Sequence, residues 1–294
     1  MHRLPVGVTV LSCGLLGWSF AAQARQFLGF GQGGIPNSLA FENYPTLDQS
    51  STGRDTVSDY TELAYFTKTG LTGTTRDQFE YFVGADIGYT DPKGDPNTSG
   101  AGFAYPEIGL EYYYNVIQPT APAGSPHYFT FWTGPEVWLN FPNGNTQPSG
   151  YGAGADQYSF NISDLSFIAV GKWDFTFDPV EVHYGFRNQN STAVAGNPLQ
   201  SFKAQSGLSL TFGDIGFGYQ LTPDLVVGVL QQFNANNVAD SNYAPSQEGF
   251  IGPGFTYAGF RNAGIVFAGA LQTDYYRENT AHNTYLALWI TQRF

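Results

Sequence analysis

The sequence predicts an all-β chain: a transmembrane antiparallel β-barrel of about twelve strands behind a cleaved N-terminal signal peptide. Three observations carry this. The final stretch, Thr284 to Phe294 (TYLALWITQRF), alternates with the period of a strand. Leu286, Leu288, Ile290, Gln292 and Phe294 share one face, and Tyr285, Ala287, Trp289, Thr291 and Arg293 the other. The opening residues read as an export leader. Between the two ends run alternating apolar segments, joined by links that are short and long in turn.

The leader comes first in the chain. His2 and Arg3 give a basic start, Leu4 to Phe20 carry no charge, and Ala22-Gln23-Ala24 is a small-x-small cleavage site. The apolar run contains Pro5, Gly7, Gly14 and Gly17 and is short for a transmembrane helix. The expected division is residues 1–24 as signal peptide and 25–294 as barrel. Val10-Leu11-Ser12-Cys13 also resembles a lipobox, although the residues after Cys13 stay apolar. Cleavage after Ala24 removes the only cysteine, so no disulfide, thiolate nucleophile or cysteine metal site is expected in the mature chain.

Composition points the same way. Aromatic residues make up 17% of the chain and charged ones 12%, with 36 glycines. This suits tight turns and close strand packing rather than a helical enzyme. Mean hydropathy is −0.21, and no long apolar stretch follows the leader, which excludes a helical membrane protein. A barrel escapes that test because only alternate residues face lipid. The net charge of −12 argues against nucleic acid as a partner.

Within the chain, Phe79 to Tyr89 is the clearest strand. Phe79, Tyr81, Val83, Ala85, Ile87 and Tyr89 oppose Glu80, Phe82, Gly84, Asp86 and Gly88. Tyr60–Thr67 precedes it. Phe103–Val116, Tyr128–Phe141, Phe167–Phe177, Val180–Arg187, Leu208–Leu221, Leu225–Phe233, Phe250–Ala258 and Gly264–Tyr276 follow. The phase of Leu208–Leu221 changes near Gly213-Asp214, which predicts a β-bulge. Tight turns are expected at Asp178-Pro179, Thr222 to Asp224 and Gly259 to Asn262. Long loops are expected at Pro142–Asp164, Asn188–Gln200 and Asn234–Gln247. A periplasmic C-terminus then places the long loops outside. Parity requires one more strand before Asp59, and Gln26–Asn43 is the space for it.

Parity also selects candidate lumen residues: Glu80, Phe82, Asp86, Tyr105, Glu107, Glu111, Trp132, Glu136, Lys172, Glu181, His183, Arg187 and Asp274. They can be polar filling of a wet interior, or the lining of a conduit whose acidic groups set an ion preference. Glu107, Glu111 and Glu136 form an expected acidic patch, with Lys172, His183 and Arg187 as partners or as a basic side. Inward aromatics fit either packing of a narrow barrel or a path for a greasy solute. A slip of one residue would exchange the two faces. An enzyme is not expected: His127, His183 and His282 are the histidines beyond the leader, and none stands in a serine or metal-binding pattern. No cofactor is expected.

Two further stretches carry a resemblance. Gly218-Tyr219-Gln220-Leu221-Thr222-Pro223-Asp224-Leu225 and Gly252-Pro253-Gly254-Phe255-Thr256-Tyr257, with Asp164-Leu165 as a fainter match, resemble the outer-membrane transporter family named for the MetA pathway of phenol degradation. The likeness covers roughly residues 164–294. It implies a passive outer-membrane channel for small aromatic or hydrophobic solutes. The alternatives are a plugged or structural binding barrel and, less favoured, a barrel hydrolase. The implied partners are outer-membrane lipid, the solute, and the barrel assembly machinery, which would read the final strand ending in Phe294.

Overall fold

The computed structural model describes residues 38–49, 56–68, 77–92, 100–122, 124–141, 158–186, 191–194, 197–203, 207–239, 245–280 and 282–293. The expected signal peptide, Arg187 and Phe294 lie outside the described residues, as do the side chains of Asp86 and Tyr105.

Twelve strands close one antiparallel barrel. They are β1 (Ser38–Gln49), β2 (Thr56–Lys68), β3 (Asp77–Pro92), β4 (Gly100–Ile117), β5 (Phe129–Asn140), β6 (Ser159–Val170) and β7 (Trp173–Gly185), then β10 (Gly207–Thr222), β11 (Leu225–Ala239), β12 (Ser246–Phe260), β13 (Ile265–Glu278) and β14 (His282–Arg293). A small hairpin, β8 (Ser191–Val194) with β9 (Asn197–Lys203), stands apart in the link between β7 and β10. Closure joins β1 to β14, with Ser38 opposite Arg293 and Gln49 opposite His282. Both barrel ends of the chain therefore lie at one rim, together with the tight turns at 171–172 and 223–224 and the 3₁₀ turn Arg261–Ala263. This is the periplasmic end, where outer-membrane barrels keep their short turns.

The outer wall is apolar. Leu63, Tyr81, Val83, Ile108, Leu110, Ile162, Phe217, Ile251 and Leu271 are each 40–53% exposed. A belt of this kind far exceeds what a water-soluble monomer shows, and lipid is the solvent that matches it. Aromatic girdles flank it. At the periplasmic end Trp173 stacks on Phe217, with centroids 4.9 Å apart, and Phe260 meets Phe267 at 5.5 Å. At the outer end Phe141 meets Tyr158 at 5.8 Å and Tyr184 meets Phe186 at 5.3 Å. Among the described residues no helix is long and apolar enough to cross a membrane.

Most of the expected alternation holds. Glu80, Phe82, Glu107, Glu111 and Tyr113 are buried inside, and Ala287, Trp289 and Thr291 give β14 its inner face. The bulge on β10 falls where the phase change places it: Gly213 has φ +56°, and the ladder to β11 shifts between Phe212 and Ile215.

Three expectations are corrected. The first strand is Ser38–Gln49, further along than Gln26–Asn43. The segment before Asp164 is strand from Ser159, so the preceding loop is shorter than expected. The third correction concerns the sixth and seventh strands. Phe167–Phe177 is not one strand, and Asp178-Pro179 is not a turn. The chain reverses at Gly171-Lys172, where Gly171 has φ +59°, a conformation that glycine adopts without steric cost. Phe167 and Ala169 therefore face inward. Lys172 leaves the list of lumen residues: it is exposed in that turn, its Nζ 5.9 Å from the centre of the Tyr219 ring.

Asp178-Pro179 sits inside β7 instead. Proline cannot donate to a ladder, and pairing between β6 and β7 skips from Ile162–Val182 to Ser166–Phe177. The Asp178 carboxylate fills the gap. It accepts from the Ser163 hydroxyl at 2.7 Å and from the Asp164 backbone N–H.

Candidate functional site

The lumen has two unlike walls. On β11 to β14 it carries an apolar cluster, Val226, Leu230, Ala258, Val266, Ala268, Ala270, Ala287 and Trp289, with buried Thr256, Gln272, Asn283 and Thr291 among the polar residues of the same strands. On β3 to β7 and β10 it is acidic. Glu80, Glu107, Glu111, Asp174, Asp178 and Asp214 are buried on it, with Glu136 and Glu181 half-buried beside them. In barrel order the two walls face each other.

The acidic side chains form a band that follows the hydrogen-bonding direction. Glu80 is the direct register partner of Glu111, and Glu111 of Glu136. Glu136 is opposite Ser163, whose hydroxyl bonds Asp178. Asp178 in turn is opposite Asp214, whose Oδ2 accepts from Gln232 Nε2 at 3.3 Å. Like charges directly across a ladder repel, and more so when buried. Glu80, Glu111, Asp178 and Asp214 are nonetheless all buried. At the β2 end of the row, Lys68 is the register partner of Glu80.

Above it, toward the outer end, lies a second polar row. Asn140 Nδ2 donates to Glu107 Oε2 at 3.2 Å, which fixes the Asn140 amide so that its Oδ1 faces Asn161. Asn161 Nδ2 donates to that oxygen at 2.6 Å, so Asn161 Oδ1 must face His183 Nδ1, 2.8 Å away. His183 Nε2 is 3.0 Å from Glu181. Both ring nitrogens of His183 are thus held by neighbours, Nδ1 by the Asn161 amide and Nε2 by the Glu181 carboxylate. His127 is exposed in a link, where its backbone N–H bonds Ser125 Oγ at 3.2 Å. His282 pairs with Asp274, which also meets Arg277 at 3.5 Å. No group of His, Cys, Asp and Glu among the described residues is arranged to hold a metal.

Below the carboxylate band the same wall turns aromatic. Trp132 meets Tyr113 edge-on at 5.3 Å and Phe167 at 5.8 Å, and Tyr128 and Ala169 complete the cluster. Glycines make the space. The Phe82 ring lies over Gly109 and the Tyr113 ring over Gly134, where any added Cβ would overlap the ring. Trp138 packs on the Phe82 cluster and meets the His183 ring edge-on at 5.9 Å.

Of the residues expected in the lumen, the structure brings Glu80, Glu111 and Glu136 into one band and Glu107, Glu181 and His183 into the row above. Trp132 lies below and Phe82 beside them. Asp274 stands apart on β13 near the outer rim. Sequence reasoning missed Asp178, Asp214, Asn140, Asn161, Ser163 and Gln232. Gly171 as a turn residue and the Gly213 bulge are the signals that place the first two inside.

The chain is similar to the COG4313 outer membrane channel from Pseudomonas putida F1, with TM-score 0.68 and 12% identity over 90% of this chain and 100% of that one. It is also similar to the β domain of the Bordetella autotransporter BrkA, with TM-score 0.51 and 11% identity over 88% of this chain and 100% of that one. No family model and no curated protein matches the sequence. At these identities the likeness is one of fold. Together with the closed barrel and its apolar belt, it makes this chain a bacterial outer-membrane β-barrel.

Proposed function

We propose that this barrel is a passive channel for small solutes, that aromatic or hydrophobic compounds are its cargo, and that it prefers cations among charged ones. The carrying observation is the divided lumen. Eight acidic side chains, Glu80, Glu107, Glu111, Glu136, Asp174, Asp178, Glu181 and Asp214, face inward on one side, toward a cluster of alanine, valine, leucine and tryptophan on the other. Acidic linings concentrate cations and repel anions, while the apolar wall and the Tyr113–Trp132–Phe167 cluster offer a greasy track. The fold likeness to a solved outer-membrane channel and the sequence resemblance to the phenol-degradation transporter family support this reading. Cleavage after Ala24 and recognition of Phe294 by the assembly machinery belong to the same proposal.

A plugged or purely structural barrel is the second reading. It is favoured by how little of the lumen wall is open: Glu80, Asp174 and Thr176 are 0% exposed and Trp289 is 1% exposed. Liposome swelling in aromatic acids, aromatic amines and neutral phenols separates the two. A channel of this kind admits the amines and phenols faster than the acids. A plugged barrel admits none.

A further inference from the structure

The link between β4 and β5 is unlike the other described periplasmic turns. Two residues suffice at 171–172 and at 223–224, but here the chain runs through 118–128 (QPTAPAGSPHY). Short periplasmic turns are the rule in such barrels, so the extra length calls for a reason.

The described parts of this link, residues 118–122 and 124–128, fold as a unit. Its base is zipped by Thr120, whose N–H donates to Phe129 O at 3.1 Å and whose Oγ1 accepts from the Phe129 N–H at 3.1 Å. Thr120 Oγ1 also donates to His127 O at 2.9 Å. Within the tip, Ser125 N–H donates to Pro122 O at 3.1 Å, and Tyr128 N–H to Ser125 O at 3.0 Å. Pro119, Pro122 and Pro126 each fix a backbone angle. The tip is therefore stiff.

Much of it is exposed, but its end and its tip turn toward the barrel. Tyr128 is 1% exposed and packs inside the barrel with Phe167 and Ala169. The Gly171 N–H of the β6–β7 turn donates to Tyr128 O at 2.8 Å. Further along, a Cβ on Gly124 would stand 3.3 Å from Oε1 of Gln220, a buried residue near the periplasmic end of β10. The link thus crosses from β5 past β6 and β7 to β10. Beyond β10 the inner wall toward the same end is the apolar cluster with Val226, Ala258, Val266 and Trp289. Tip and cluster thus both lie toward the periplasmic end of the lumen.

We propose that residues 118–128 are a strap that gates the periplasmic exit, and that solute leaves when its stiff tip lifts from Gln220 while Thr120 and Phe129 hold its base. This rests on the channel reading. The test uses full-length protein carrying Cys13→Ser, so that introduced cysteines alone react. Gly124→Cys with Gln220→Cys is joined by a short bis-methanethiosulfonate reagent, which forms a reducible disulfide at each cysteine with loss of methanesulfinate. Gly124 has φ +85°, which a cysteine tolerates poorly, so Ser125→Cys with Gln220→Cys is the second pair. A third variant replaces 121–127 by three glycines. Heat-modifiable gel mobility verifies that each variant is folded.

The proposal expects linking to abolish bilayer conductance and solute flux, reduction to restore both, and the glycine variant to conduct more than the parent. Linked protein, verified on gels, that conducts like the parent overturns the strap but leaves the channel intact. If parent and glycine variant are both silent, closure is not the strap's work, and the channel reading falls with it. A silent parent beside a conducting glycine variant supports both.

Discussion

Gly134 shows how the interior is fitted together: it carries no side chain, and the Tyr113 ring lies in the space so left, edge-on to Trp132. Gly134→Val forces that ring away and is expected to cost about 1–3 kcal/mol, the usual penalty of overpacking. The readout is a lower temperature for the gel-mobility shift, with Gly134→Ser giving a smaller drop. His183 is fixed from both sides by Asn161 and Glu181. His183→Ala leaves a partly buried carboxylate and an amide oxygen without their donor, and about 1–3 kcal/mol of stability should be lost. Glu181→Gln in the same background should recover part of it, which urea titration in detergent can measure. At this scale the sequence was readable where alternation ran unbroken. Glu80, Glu107, Glu111 and Glu136 fall inside by counting alone. Asn140 and Asn161 were invisible as partners because their roles depend on which strands are neighbours, and alternation within a strand does not contain that information.

The sixth and seventh strands are where element-level reading failed, and the cause is specific. Asp178-Pro179 has the composition of a turn, and Gly171-Lys172 looks like an interruption within a strand. The barrel reverses that assignment because Asp178 stands in for the ladder hydrogen bonds that Pro179 breaks, accepting from Ser163 and from the Asp164 N–H. Asp178→Ala removes this acceptor. The expected result is a loss of about 1–3 kcal/mol and faster amide exchange at Asp164, with little change at Phe167 or Phe175, where the ladder is intact. Asp178→Asn, which keeps an acceptor oxygen, should retain most of the protection. By contrast, the bulge at Gly213 was legible because the apolar phase changes on either side of it, and the last strand was legible because Leu286, Leu288 and Ile290 share one face at the spacing of a strand.

For the molecule as a whole, the strand number followed from parity: eleven readable strands and a periplasmic start require a twelfth, and β1 supplies it by pairing with both β2 and β14. The division of the lumen into an acidic wall and an apolar wall could not be seen in the same way, since it depends on the order of strands around the barrel. That division is the basis of the functional account. Glu111→Gln with Glu136→Gln removes two adjacent members of the carboxylate band without altering its shape, and a smaller cation preference should follow. The most direct measurement is the reversal potential of the purified, folded barrel in a planar bilayer under a potassium chloride gradient. The account predicts conductance steps with a potential of cation-selective sign, shifted toward zero by the double substitution. A folded barrel that conducts with anion preference, or with a cation preference indifferent to those two residues, would contradict it.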